Sequence, residues 1–131
     1  MPHEGDWHAA GSCLAGLEFN NPLIVRKSSP HAGTLSDRWG LLDVSPSNVV
    51  LSASKPANDG AVVIRVYEAV GQPVIGAAIT LHADVLSAQE ANLMEDSTAK
   101  LEMAKDTLQF DLHPFQIRTF KVRLAPLRTN R

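Results

Sequence analysis

The sequence predicts an antiparallel β-sandwich of about eight to ten strands in a single domain. Short apolar runs with period-two alternation recur along the chain, and turn residues separate them at regular spacing. No internal repeat or low-complexity tract divides them. At 131 residues the chain is long enough to close one hydrophobic core. Apolar residues at 44% and charged residues at 20% match globular averages, which excludes wholesale disorder.

The elements follow in order. MPHEGDWHAAG (1–11) has no strand period and reads as an irregular, mobile N-terminal arm cut from a larger context. The sandwich is expected over 12–124. SCLAGLEF (12–19) alternates roughly, with Leu14 and Phe19 largest, and is taken as strand; NNPLIV (20–25) opens with turn chemistry and continues as a short apolar run. RKSSPHAGTLSDR (26–38) is a long loop rich in Ser, Pro and Gly. WGLLDV (39–44) is a short strand, SPSN (45–48) a turn, and NVVLSASK (48–55) a β-branched strand. PANDG (56–60) is a turn by composition, and AVVIRVYEA (61–69) answers it as the second arm of a hairpin.

Past the VGQPV turn (70–74), PVIGAAITLHA (73–83) is a long strand whose Gly76 marks a bulge. VLSAQEANLMED (85–96) has the propensity of a helix, but its neighbours are strands and strand is preferred. TLQFDL (107–112) alternates as a half-buried strand, His113–Pro114 breaks it, and FQIRTFKVRL (115–124) is the last strand before a tail over 125–131.

Composition narrows the function. A net charge of −2 argues against nucleic acid or a polybasic membrane anchor as partner. The weak cluster Arg118, Lys121, Arg123, Arg128 and Arg131 reads as a solvated strand face and tail. No apolar run approaches the ~20 residues of a membrane helix. No signal peptide is expected, and a cytoplasmic location follows from these readings. The single Cys13 excludes an intramolecular disulfide, fits a reducing compartment, and is expected to be a small buried hydrophobe.

Catalytic motifs are absent: no P-loop, dinucleotide-binding glycine pattern, GxSxG elbow or HExxH. HEGDWH (3–8) groups His3, Glu4, Asp6 and His8, donors zinc accepts, but their spacing matches no ligand framework. A glycosidase needs two carboxylates facing one bond. Glu68, Asp84, Glu90, Glu95 and Asp96 are the candidates, and nothing in the sequence brings two together. Trp7, Trp39 and Tyr67 are the aromatics suited to stack on a sugar, with core or interface packing the alternative for Trp39.

Several stretches then combine: PHEGDW (2–7), NNPL (20–23), NVVLSASK (48–55), VVIRVYEAVGQPV (62–74), NLMED (92–96) and HPFQIRTFKV (113–122). In order and spacing they resemble the carboxy-terminal β-domain of the α-mannosidases of glycoside hydrolase family 38, over nearly the whole chain. The most specific pieces are RVYE with its Gly turn and PFQIRT. The family's closing motif usually reads Pro-Phe-Glu-Ile where Gln116 stands here, and an acid usually occupies the position of Asn58. Both swaps put particular ion pairs in doubt, not the fold.

The resemblance implies a division of labour. The catalytic aspartates and a zinc held by His and Asp belong to an amino-terminal domain, followed by helical and β-domains, so this chain is expected to hold no catalytic residue, metal or cofactor. Its partners would be the catalytic and helical domains of the parent enzyme. In isolation, weak self-association is expected. The alternative is a stand-alone module that binds oligosaccharide.

The candidate substrate or interface residues are Arg65, Tyr67, Glu68, Trp39 and Arg118. Arg65 and Tyr67 share one face of their strand, while Glu68 shares the opposite face with Val62, Ile64 and Val66, which is expected to be the core face. Arg65 is expected to make a bidentate contact with a neighbouring domain, or else to lie exposed and snorkel over Tyr67. Glu68 is expected to cap backbone N–H groups or to pair with Arg118.

Overall fold

The structure is a computed structural model, and it describes residues 5–7, 10–30, 32–33 and 37–126. The chain divides into two units, Met1–Trp39 and Gly40–Arg131.

In the first unit the expected strand at 12–19 is a helix instead, α1 (Ser12–Asn20). The segment contains no β-branched residue, whereas Leu, Ala and Glu favour helix, so local propensity overrides a loose alternation. The Asn20 and Asn21 amides close its end by donating to the carbonyls of Gly16 and Leu17. No residue of α1 is buried, and Cys13 is half-buried rather than part of a core. Residues 22–30 follow without regular structure, with Leu23, Ile24 and Val25 exposed. His3, Glu4 and His8 of the arm and residues 127–131 of the tail lie outside the described residues.

The second unit is the sandwich. It therefore begins at Gly40 and not at residue 12. Its eight strands are β1 (Leu42–Ser45), β2 (Val49–Pro56), β3 (Val62–Glu68), β4 (Val74–Leu81), β5 (Val85–Ala91), β6 (Ser97–Leu101), β7 (Thr107–Leu112) and β8 (Ile117–Leu124). They form a three-stranded sheet of order β1-β4-β7 and a five-stranded sheet of order β2-β3-β8-β5-β6. Every pairing is antiparallel.

Alternation decides which side chains are interior. Ile64, Val66, Phe120, Val122 and Ala88 of the larger sheet meet Ala77, Ile79, Leu81, Leu108, Phe110 and Leu112 of the smaller. Phe110 and Phe120 touch across the layers with ring centroids 4.7 Å apart. Each large aliphatic or aromatic side chain buried here contributes about 1.5–3 kcal/mol. The bulge expected at Gly76 is present, as the β4–β7 register shifts between Val74 and Ala77. Strand β6 was not anticipated: STAKL is an exposed edge strand whose one partly buried residue, Leu101, gives no alternation to read.

Two turns need left-handed glycine. Gly60 (φ 79°) closes the β2–β3 turn in open space, whereas a Cβ on Gly71 (φ 75°) would lie 2.6 Å from the ring of Phe115. Gly60→Ala is therefore expected to cost about 1 kcal/mol through backbone conformation alone. Gly71→Ala should cost about 2 kcal/mol, since the ring must also leave its seat. Urea denaturation should show that excess vanish on a Phe115→Ala background.

Candidate functional site

The polar side chains of the sandwich gather where β3 ends, β8 begins and β5 ends. Here β3 pairs Val66 with Arg118 and Tyr67 with Ile117, and β5 pairs Glu90 with Phe120. Glu68 is fully buried, the only charged side chain among the described residues that is. It lies on the face of Ile64 and Val66, as expected for the core face.

The Glu68 carboxylate collects five donors. Oε1 accepts from Asn48 Nδ2 (3.0 Å) and Val70 N (2.9 Å), and Oε2 from Gly71 N (2.6 Å), Gln72 N (3.2 Å) and Phe115 N (3.1 Å). One side chain thus ties the β1–β2, β3–β4 and β7–β8 turns together. Burial pushes the Glu68 carboxyl up, but donation by Phe115, Val70, Asn48 and Gly71 outweighs it and holds the group below its ordinary value. Phe115 carries φ 57°, a conformation that costs an L-residue about 1–2 kcal/mol, and its N–H bond to Glu68 helps offset that strain. Of the two roles expected for Glu68, backbone capping is the one the structure shows.

Arg118 pairs elsewhere. Its Nε and Nη2 meet Glu90 Oε1 and Oε2, each at 2.8 Å, in a two-pronged contact along the larger sheet. Nη1 donates to the Asp111 carbonyl (3.1 Å) of the smaller sheet. The guanidinium carbon lies 5.4 Å from the ring centroids of both Phe110 and Phe120. Arg118 therefore seals this end of the core between the layers.

On the outer face of the larger sheet, Arg65 Nε donates to Thr119 Oγ1 (3.0 Å) and Nη2 to the Leu93 carbonyl (3.2 Å). Glu95 Oε1 is 3.8 Å from Arg65 Nη2 and 2.6 Å from Lys55 Nζ. Glu95 holds φ 71°, and Asn92 closes the same loop by accepting from Asp96 N (3.0 Å). Within its own chain, Arg65 clamps the β5–β6 loop. Tyr67 is half-buried on the same face, and Trp39 is 60% exposed at the end of the first unit, outside any core.

The five expected residues thus separate: Glu68 and Arg118 serve the interior, Arg65 and Tyr67 lie on the outer face, and Trp39 belongs to the other unit. Asn48, Phe115 and Gly71 were missed as partners of Glu68. Only the turn composition hinted at them, because partnership across three turns depends on register. Among the described residues no three His, Cys, Asp or Glu side chains converge.

Glu68→Gln replaces an acceptor-only group with one that turns an NH₂ toward N–H donors. It is expected to cost about 2–3 kcal/mol at neutral pH. Because the folded Glu68 value is depressed, its contribution is complete above the unfolded value of about 4.3 and is lost as pH falls through the folded value. Urea midpoints of wild type and variant should therefore converge as pH drops below about 4. For Arg65→Met, faster amide exchange is expected at residues 92–96, with a global loss of about 1 kcal/mol; unchanged exchange there would contradict the clamp.

Residues 48–120, more than half of the chain, match the family described as glycosyl hydrolases family 38 C-terminal beta sandwich domain. Alpha-mannosidase 2C1 of Mus musculus is 33% identical over 129 residues, covering 91% of this chain and 12% of the relative. Alpha-mannosidase 2C1 of Homo sapiens is 30% identical over 132 residues, covering 96% of this chain and again 12% of the relative. The chain thus spans about an eighth of the length of these relatives. The segments brought together by Glu68, Gly71 and Phe115 lie inside the matched range, and the chain belongs to the family 38 C-terminal β-sandwich domains of the glycosyl hydrolases.

Proposed function

We propose that this chain serves as the non-catalytic terminal sandwich of an α-mannosidase polypeptide, packing against its catalytic and helical domains and flanking the substrate cleft. The observation that carries the reading is the use made of the carboxylates. Glu68, the buried one, is held ionised by N–H donors, whereas a general acid needs its value raised. Glu90 is bound by Arg118 and Glu95 by Lys55. On this reading the reacting carboxylates and the zinc belong to the preceding domains, and the sandwich supplies a rigid wall.

The test has two parts. The purified chain should leave a chromogenic α-mannoside intact, and its tryptophan emission should not move when a mannose oligosaccharide is added. Replacing the matched segment of the mouse relative with this chain should give a soluble enzyme that cleaves the same substrate. Turnover by the chain alone, or a folded graft without activity, would overturn the reading. An emission shift would favour a carbohydrate-binding module instead.

A further inference from the structure

The first unit carries a stretch that the domain role leaves unused, RKSSP at positions 26–30. It lies within residues 22–30, which belong to no helix or strand and are exposed throughout. None of these residues has left-handed backbone. Pro30 restricts Ser29 further, because the proline ring clashes with a helical conformation of the residue before it and leaves extended backbone. Ser29 is thus an exposed residue on a chain already biased to the extended form. Ser28 beside it donates only weakly, to the Ser29 carbonyl at 3.4 Å.

The chain has a second Ser-Pro pair, Ser45–Pro46, which supplies a contrast. Ser45 ends β1 and pairs with Ala78 of β4, so its backbone is committed to the smaller sheet. The same dipeptide is held in a sheet at one position and lies outside regular structure at the other. A protein kinase takes its acceptor as an extended segment, with a carboxylate base beside the hydroxyl. Proline after the acceptor brings no N–H for the cleft to satisfy and fixes its own φ, so a kinase with an apolar seat there selects it. Arg26 and Lys27 place two exposed cations three and two residues before Ser29. A phosphate on Ser29 carries about −1.5 to −2 at neutral pH, enough to offset both.

We propose that Ser29 is a phosphoacceptor for a proline-directed protein kinase, and that Arg26 and Lys27 hold the phosphate once it is attached. In the transfer, Ser29 Oγ bonds to the γ-phosphorus of ATP while the bond from that phosphorus to the ADP oxygen breaks. The hydroxyl proton passes to the kinase carboxylate, and nothing is oxidised or reduced. The guanidinium and ammonium groups then meet an acceptor of the kind they bind best. This inference concerns the first unit and does not depend on the domain role proposed above.

The folded 131-residue chain is incubated with ATP and a purified mitogen-activated, proline-directed kinase, and phosphate is located by peptide mass spectrometry. One phosphate should appear on Ser29, and none on Ser28 or Ser45. Pro30→Ala should slow incorporation about tenfold or more, and Ser29→Ala should abolish it. Phosphorus NMR then titrates the phosphoserine. Its second ionisation should come at a pH lower by about 0.3 than in an Arg26→Gln, Lys27→Gln double variant. An unmodified Ser29, or incorporation that survives Pro30→Ala at the same rate, would overturn the acceptor assignment. Phosphate on Ser45 at the rate of Ser29 would overturn it too, since local structure would then not decide the choice. Equal titration in the two chains would overturn the role of Arg26 and Lys27.

Discussion

A carboxylate in the interior of a sandwich is stable only if the protein replaces the water it has lost. An uncompensated buried charge costs several kcal/mol. Glu68 meets the condition with backbone N–H groups of two turns and the amide of a third. Those N–H groups lie in non-repetitive backbone and need an acceptor of their own. Each side thus resolves the other's deficit, and three turns distant in sequence are fixed relative to one another. The seat of Phe115 over Gly71 and the left-handed backbone of both residues depend on that arrangement.

The two layers are held by different means at their two ends. Toward Val62, Val122 and Leu124 the contacts are aliphatic. Toward Glu68 they are ionic and directional: Arg118 spans from Glu90 of the larger sheet to the Asp111 carbonyl of the smaller. Apolar packing tolerates sliding, whereas a two-pronged guanidinium contact does not. Directional contacts therefore define the geometry of the Glu68 end, and the aliphatic end supplies hydrophobic stability.

Much of the sandwich was legible in the sequence. TLQFDL coincides with β7, PANDG with the first hairpin turn, and the core face of β3 follows from period two. The failures have physical causes. SCLAGLEF alternates loosely but lacks β-branching and folds as α1, while STAKL is a strand only because β5 offers it an edge. The site was legible residue by residue but not pair by pair. Glu68 signalled itself as a charge on a core face, yet its partners come from turns whose juxtaposition exists only once register is set. Arg118 was a recognisable candidate, but its partner Glu90 lies on a strand reached through the β8–β5 pairing.

The two departures from the family pattern fit the same logic. Gln116 stands where an acid is usual, and its amide oxygen accepts from His113 N at 2.8 Å while its backbone N–H donates to the His113 carbonyl. That turn needs an acceptor rather than a charge, so an amide serves where a carboxylate would. At the β2–β3 turn Asn58 is followed by Asp59, which caps Ala61 N and pairs with Lys121 Nζ at 2.8 Å; Lys121 and the Ala61 N–H hold its carboxyl below the ordinary value. An acid one residue later thus supplies both a cap and an ion pair in this turn. Glu68 differs because its carboxylate receives donors on both oxygens at once. An amide there would present hydrogens to hydrogens, so the position that organises the three turns is the one where loss of charge cannot be absorbed.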